Sequence, residues 1–144
     1  MNIYLDNCCL NRPFDDQSYP RIHLEAEAVK TILSLCEQDG WALLTSDVLS
    51  YEVQKITAPD KRQYLELILS SAQLNIRLQP SFRERARYFE QSGIKAFDAL
   101  HLACAEAHAD VFLTTDDRLL KKIKQLPDVK LTASNPLAWV QEIL

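Results

Sequence analysis

A chain of 144 residues that is 47% apolar holds one core and leaves no room for a second of ordinary size. Only 2 glycines and no tract of biased composition exclude fibrous and disordered classes. A formal net charge of -4 excludes a protein that coats nucleic acid through a broad basic surface, so any contact with nucleic acid has to be local.

The expectation is therefore one domain spanning residues 1–144. The opening MNIYLDNCC has no basic leader, and no apolar run approaches the roughly 20 residues that cross a bilayer. A cytoplasmic protein without a membrane partner is expected. Cys8, Cys9, Cys36 and Cys104 show no CxxC or Cys/His ligand spacing, which favours reduced, mostly buried thiols.

In chain order, residues 2–5 (NIYL) read as a central strand ending on Asp6. Turn chemistry over 11–16, with Pro13, breaks the chain. Apolar residues at helical spacing over 21–38 predict a first long helix, stopped at Asp39-Gly40. WALLTS at 41–46 predicts a buried strand, and Ser46 or Asp47 can cap the helix that carries Glu52. Pro59 opens a helix to about residue 74. A short IRL segment, a helix after Pro80 and a break at Gly93 follow. Residues 95–108 predict a strong helix carrying Asp98, with Phe97, Leu100, Ala103, Cys104 and Ala107 on its apolar side. VFLTT at 111–115 reads as a strand and DDRLLKKIKQL as a helix whose Lys121, Lys122 and Lys124 complement its dipole. VKLT reads as a last strand, and NPLAWVQEIL as a terminal helix. Strands alternating with helices predict a three-layer α/β/α fold around a parallel sheet.

In such a sheet, sites form beyond the carboxyl ends of the strands, near the switch in strand order. Asp6 and Asp116 follow the first strand and FLTT, while Glu52 and Asp98 lie early on helices that can border the same crevice. Converging carboxylates need a cation or a proton to coexist. An all-oxygen set suits Mg²⁺ or Mn²⁺, which retain waters for substrate exchange. Such a cage supports phosphodiester hydrolysis.

Four blocks, IYLDNCCLNRP, TSDVLSYEVQK, IKAFDALHLACA and VFLTTDDRLLKK, resemble the acid-bearing blocks of PIN domains, in the family's order and over nearly the whole chain. The resemblance implies that Asp6, Glu52, Asp98 and Asp116 are the metal-binding and catalytic acids of an Mg²⁺- or Mn²⁺-dependent endoribonuclease. It implies a metal-bound water as nucleophile and products with 5′-phosphate and 3′-hydroxyl ends. It also implies the VapC-like toxin role in a toxin–antitoxin pair, with RNA as substrate, a cognate antitoxin as partner and a homodimer as assembly. Two positions depart from the pattern or leave it open. Asn7 stands where many PIN domains carry Ser or Thr, and an amide cannot serve as a base. The Asp116-Asp117 doublet offers two acids, of which Asp116 directly follows the strand.

Taken singly, each acid has a structural reading as a turn cap, a helix N-cap or a solvated helix residue. Their order in four blocks favours a joint site. His101, three residues after Asp98, is expected to pack or hydrogen-bond beside the site without ligating metal, and His23 and His108 to lie on the surface. Arg12, Lys55, Lys95 and Arg118 neighbour the acid-bearing blocks and can flank a cleft. The alternative function is a catalytically inactive PIN-like binding or regulatory module. A phospho-accepting receiver domain would need an acid pair after the first strand, where this chain has Asp6 followed by Asn7. Apolar residues on the helices at 21–38 and 59–74 are expected to meet a second copy or the antitoxin.

Overall fold

Ile3, Tyr4 and Leu5 are all buried, on both faces of their strand, as a central position in a parallel sheet requires. A computed structural model, which describes residues 1–38 and 40–144, places them in β1 (Asn2–Leu5). The chain continues through α1 (Asn7–Asn11), a 3-10 turn at Arg12–Phe14, α2 (Pro20–Gln38), β2 (Ala42–Ser46), α3 (Asp47–Gln54), α4 (Pro59–Ser70) and β3 (Leu74–Ile76). It then forms α5 (Pro80–Gln91), α6 (Ala96–His108), β4 (Val111–Leu113), α7 (Asp117–Lys124), β5 (Thr132–Ser134) and α8 (Pro136–Ile143).

The five strands are all parallel, in the order β3-β2-β1-β4-β5. The chain thus builds outward from β1 to β3, then returns to the other side of β1 for β4 and β5. The direction of winding switches between β1 and β4, where their carboxyl ends open a crevice. Leu5 pairs with Leu113, so Asp6 comes level with Thr114. Helices packed in pairs, α2 with α8, α3 with α4 and α5 with α6, complete an α/β/α sandwich of three layers. No helix among the described residues is long and apolar enough to cross a membrane.

Local chemistry explains most element boundaries. Proline occupies the first turn of α4, α5 and α8, where its missing N–H costs no helical hydrogen bond. Ser46 caps α3 by accepting from the Leu49 N–H. Gly93 ends α5 at φ 96°, a left-handed conformation that glycine adopts without a Cβ clash. Gly40, at φ 73°, follows α2; Asp39, the other half of the expected stop, lies outside the described residues.

Four expectations are corrected. The helix from Pro59 ends at Ser70, not near residue 74, because Leu74 starts β3. That strand covers Leu74–Ile76 where IRL was expected, since pairing of Leu44 with Leu74 sets the register. The last strand is Thr132–Ser134, shifted from VKLT by pairing of Val111 with Thr132. On α6, Phe97 is 47% exposed, and Ala99, Leu102, Ala103 and Cys104 form the buried face together with His101. Phe97 stacks instead on Tyr51 of α3, with ring centroids 6.0 Å apart.

All four cysteines are free thiols; Cys9, Cys36 and Cys104 are buried and Cys8 is half-buried. Burial pushes the Cys36 and Cys104 thiols up, to about 11 and about 12, which makes them inert packing groups.

Candidate metal centre

Asp6 emerges from β1 directly into α1 and caps that short helix through the Asn7 N–H, at 2.8 Å to Oδ1. Its other oxygen accepts the Thr114 hydroxyl at 2.9 Å and the Cys8 thiol at 3.3 Å. Asp6 is only 5% exposed, so the carboxylate is fixed from the strand side by neighbours on β1, α1 and the end of β4. Thr114 carries no acid or metal-ligand signature in sequence, and only the β1–β4 register reveals its role.

Glu52 lies in the last turn of α3, not early on its helix as expected, because α3 is only eight residues long. It leans toward α6, where its Oε1 hydrogen-bonds His101 Nε2. The same imidazole nitrogen stands 3.9 Å from Asp6 Oδ1. On its other side, His101 Nδ1 meets the buried Tyr4 hydroxyl at 2.6 Å. Burial lowers the His101 pKa, but the hydrogen bond to Glu52 and the charges of Asp6, Glu52 and Asp98 outweigh it and hold it above the ordinary value. His101 therefore sits among the acids as a hydrogen-bonding group, while His23 and His108 are exposed.

Asp98 occupies the first turn of α6, at the positive end of the helix dipole. Burial, then the charges of Asp6 and Asp116, raise its pKa to about 6; His101 opposes the shift and Glu52 adds to it. The other three sequence-selected acids thus all lie within electrostatic reach of Asp98. Asp116 caps α7, its Oδ1 accepting the N–H groups of Arg118 and Leu119 at 3.0 and 3.1 Å. Asp98 and Asp116 share a cleft of about 80 Å³ with Lys95, Arg118 and Lys122. Asp117 turns away from it and takes a two-pronged ion pair from Arg21 at 2.7 and 2.8 Å. That pairing holds its carboxyl below the usual range.

The candidate cations sort differently from their order in sequence. Lys95 and Arg118 line the cleft as expected. Arg12 does not flank it: its guanidinium grips the buried Glu25 at 2.9 and 2.7 Å and Asp15 at 3.1 Å. Lys55 lies over the Tyr51 ring, 5.0 Å from the centroid. Lys122, read as a dipole partner, also borders the cleft and donates to the Gly93 carbonyl. Asn7 has its amide oxygen engaged by Asn11 at 2.8 Å.

The donor set suits a hard divalent cation, being carboxylate oxygen converging from four separate elements. Among the described residues, no three Asp, Glu, His or Cys side chains stand close enough to grip one ion together. Asp6 and Glu52 spend oxygens on Asn7, Thr114 and His101, while Asp98 and Asp116 line the cleft. Mg²⁺ tolerates such spacing because it keeps several waters and needs only one or two direct carboxylates.

The fold recurs in solved structures. VapBC2 from Rickettsia felis, bound to a DNA fragment from its promoter, superposes with a TM-score of 0.60 at 18% identity, over 94% of this chain and 98% of that one. FitAcB from Neisseria gonorrhoeae gives a TM-score of 0.55 at 18% identity, over 93% and 97%. No curated protein matches by sequence. The PIN domain family model matches residues 3–126, a stretch that runs from within β1 past the end of α7 and contains all four acids, and the chain belongs to the PIN domain family.

Proposed function

We propose that this chain is a divalent-metal-dependent endoribonuclease and the toxin of a toxin–antitoxin pair. The observation that carries the reading is the gathering of Asp6, Glu52, Asp98 and Asp116 around the β1–β4 switch point, where burial and then the charges of Asp6 and Asp116 raise the Asp98 pKa to about 6. PIN domains are nucleases that generally use divalent metal ions, and these acids are the residues that would hold Mg²⁺ or Mn²⁺ here. A divalent ion bound there supplies Lewis acidity toward a phosphate oxygen and lowers the pKa of a nearby water.

The rest is the work of the chain. Asp6 is fixed by its hydrogen bonds to Asn7 and Thr114 and presents little freedom to move. Lys95, Arg118 and Lys122 rim the cleft and supply phosphate contacts that position an RNA backbone without reading its sequence. These three cations provide a local positive edge on a protein of net charge -4.

A groove of about 340 Å³ between α2 and α4, lined by Leu33, Cys36, Leu43, Tyr64, Leu67 and Ile68, supports the partner side of the reading. Leu67 is 70% exposed and Tyr64 44%, an apolar strip that a partner would cover. The antitoxin would occupy it, with a second copy of this chain completing the assembly. The structural similarity to VapBC2, solved with promoter DNA, supports such a pair.

The test is incubation of the purified protein with a mixed pool of structured RNAs in Mg²⁺, Mn²⁺ or EDTA, beside the Asp6→Asn variant. Cleavage that needs metal and disappears in the variant is expected. Metal-independent cleavage, or full cleavage by the variant, sinks the proposal. Absence of metal binding as well as cleavage leaves the inactive binding module as the reading.

A further inference from the structure

A continuous line of hydrogen bonds runs behind the acid cleft, and with a neutral imidazole its polarity follows from its Glu52 end. The Leu49 N–H donates to Ser46 Oγ at 3.1 Å, Ser46 Oγ lies 2.7 Å from the Tyr4 hydroxyl, Tyr4 lies 2.6 Å from His101 Nδ1, and His101 Nε2 meets Glu52 Oε1. An ionised Glu52 can only accept, so Nε2 carries the proton. In the neutral ring Nδ1 then accepts, which makes Tyr4 its donor and Ser46 the donor to Tyr4. Ser46 accepts in turn from a backbone N–H that cannot reverse. With the ring neutral, every member thus donates toward Glu52.

We infer that Ser46, Tyr4 and His101 form a positioning relay that fixes the Glu52 carboxylate, engages its Oε1, and leaves Oε2 as its one free oxygen for a cation. The relay begins and ends on α3: Ser46 caps that helix and Glu52 lies in its last turn. Between these ends it passes through β1 at Tyr4 and α6 at His101, and so ties together the elements that carry Asp6, Glu52 and Asp98. Tyr4 is 0% exposed, His101 1% and Ser46 0%, which shields the line from water and makes each unpaired member costly. Burying a tyrosine hydroxyl, a serine hydroxyl and an imidazole beneath an α/β sheet is unfavourable unless all are satisfied, and here all are. Outer partners of this kind orient ligands and commonly change metal affinity by about 10- to 100-fold when removed.

The inference rests on the reading of Glu52 as a cation-binding acid, so its test carries a readout that needs neither metal nor cleavage. Imidazole ¹⁵N shifts of the full-length, metal-free protein, recorded at alkaline pH where the ring is neutral, report the His101 tautomer. A single Nε2–H tautomer is expected in the wild type and retained in Tyr4→Phe, which keeps the buried ring and deletes only the hydroxyl, with the Nδ1 resonance moving downfield as it loses its donor. A wild-type ring protonated on Nδ1, or an Nδ1 resonance that does not move in Tyr4→Phe, overturns the relay.

Mn²⁺ titration then reads its effect. His101→Leu is expected to weaken Mn²⁺ binding by roughly 10- to 100-fold. His101→Gln, whose amide can still donate to Glu52, is expected to recover most of that loss, and Tyr4→Phe to lose a few-fold. Equal Mn²⁺ affinity in folded His101→Leu and wild type overturns the positioning role. If the wild type binds no Mn²⁺ at all, the metal-dependent function fails, and the role assigned to the free Oε2 fails with it, while the tautomer result still decides whether the relay exists.

Discussion

Two sets of carboxylates, the buried Glu25 and the acids around the β1–β4 crevice, are built on opposite terms. Glu25, on α2, is 0% exposed and surrounded by matching donors: Arg12 at 2.9 and 2.7 Å, Arg21 at 3.3 Å, and the Asn135 amide. Its charge is met from three directions, and it ties α2 to the 3-10 turn and to the cap of α8. Asp6, Asp116 and Glu52 instead add, after burial, to the rise in the Asp98 pKa, and His101 is the one neighbour that opposes it. The first group is complete within the chain. The second has an excess of negative charge that a bound cation would meet, and this difference separates an acid matched within the chain from acids whose charges are left unmatched.

The largest expected effect comes from removing an acid of the second group. Asp98→Asn should reduce metal-dependent RNA cleavage by more than about 100-fold, beyond the usual range for residues that only support a ligand. Single-turnover rates in saturating Mn²⁺ measure this. A loss smaller than about 10-fold would place Asp98 outside the chemistry and dissolve the contrast between the two groups.

Glu25→Gln should have the reverse signature. It leaves Arg12 and Arg21 without their buried counter-charge, at a cost of about 3 kcal/mol, or a fall in Tm of roughly 10 °C. Cleavage per folded molecule at a temperature below the transition should be unchanged. An unchanged Tm would show that the Arg12–Glu25 contact contributes nothing to stability.

A smaller effect is read in pH. Asp98 is an acid whose pKa in the fold, about 6, lies above its ordinary value of 3.8, so the fold favours its protonated form. Ionisation therefore costs stability; the cost is absent below both values, grows as pH rises between them, and is complete above about pH 6. In EDTA, wild type and Asp98→Asn should have the same urea midpoint at about pH 3, below both values. By pH 7 the variant should be more stable by about 1 kcal/mol, a figure discounted because the carboxyl is partly exposed and screened. A wild type that matches the variant at pH 7 would show that neither burial nor the neighbouring acids raise the Asp98 pKa.

The smallest effect falls on the neighbouring acid. Asp117→Asn removes a surface ion pair whose partners are 65% and 55% exposed, and should change stability by less than about 0.5 kcal/mol. Cleavage should match wild type. A large loss of activity would mean that Asp117, not Asp116, serves the cleft.

Much of this architecture is written in local patterns. The run NIYL followed by Asp6, the proline-led helices and the alternation of strand and helix specify element types without reference to distant residues, because burial periodicity and turn chemistry act over a few positions. The order of the four acid-bearing blocks is likewise a property of the chain, and with the parallel sheet it points to one crevice. Local pattern fails at the edges and on helix faces. The short strands at Leu74–Ile76 and Thr132–Ser134 are placed by pairing with β2 and β4, which periodicity in their own sequence does not contain. Phe97 belongs to the apolar side of α6 by spacing, yet the close approach of Ala99 and Ala103 to the core leaves it outside, against Tyr51.

The same division runs through the site. The sequence by itself determined which acids are available, at the strand end for Asp6, near the helix starts for Asp98 and Asp116, and on the helix after β2 for Glu52. Only the tertiary structure decided what each one faces: Thr114 for Asp6, His101 for Glu52, the lysine- and arginine-rimmed cleft for Asp98 and Asp116, and Arg21 for Asp117. Those partners are separated by as many as 108 positions in the chain. Their meeting depends on the switch in strand order and on the packing of α3 and α6 around β1, which follow from the joint burial of the whole core and cannot be read from any one segment.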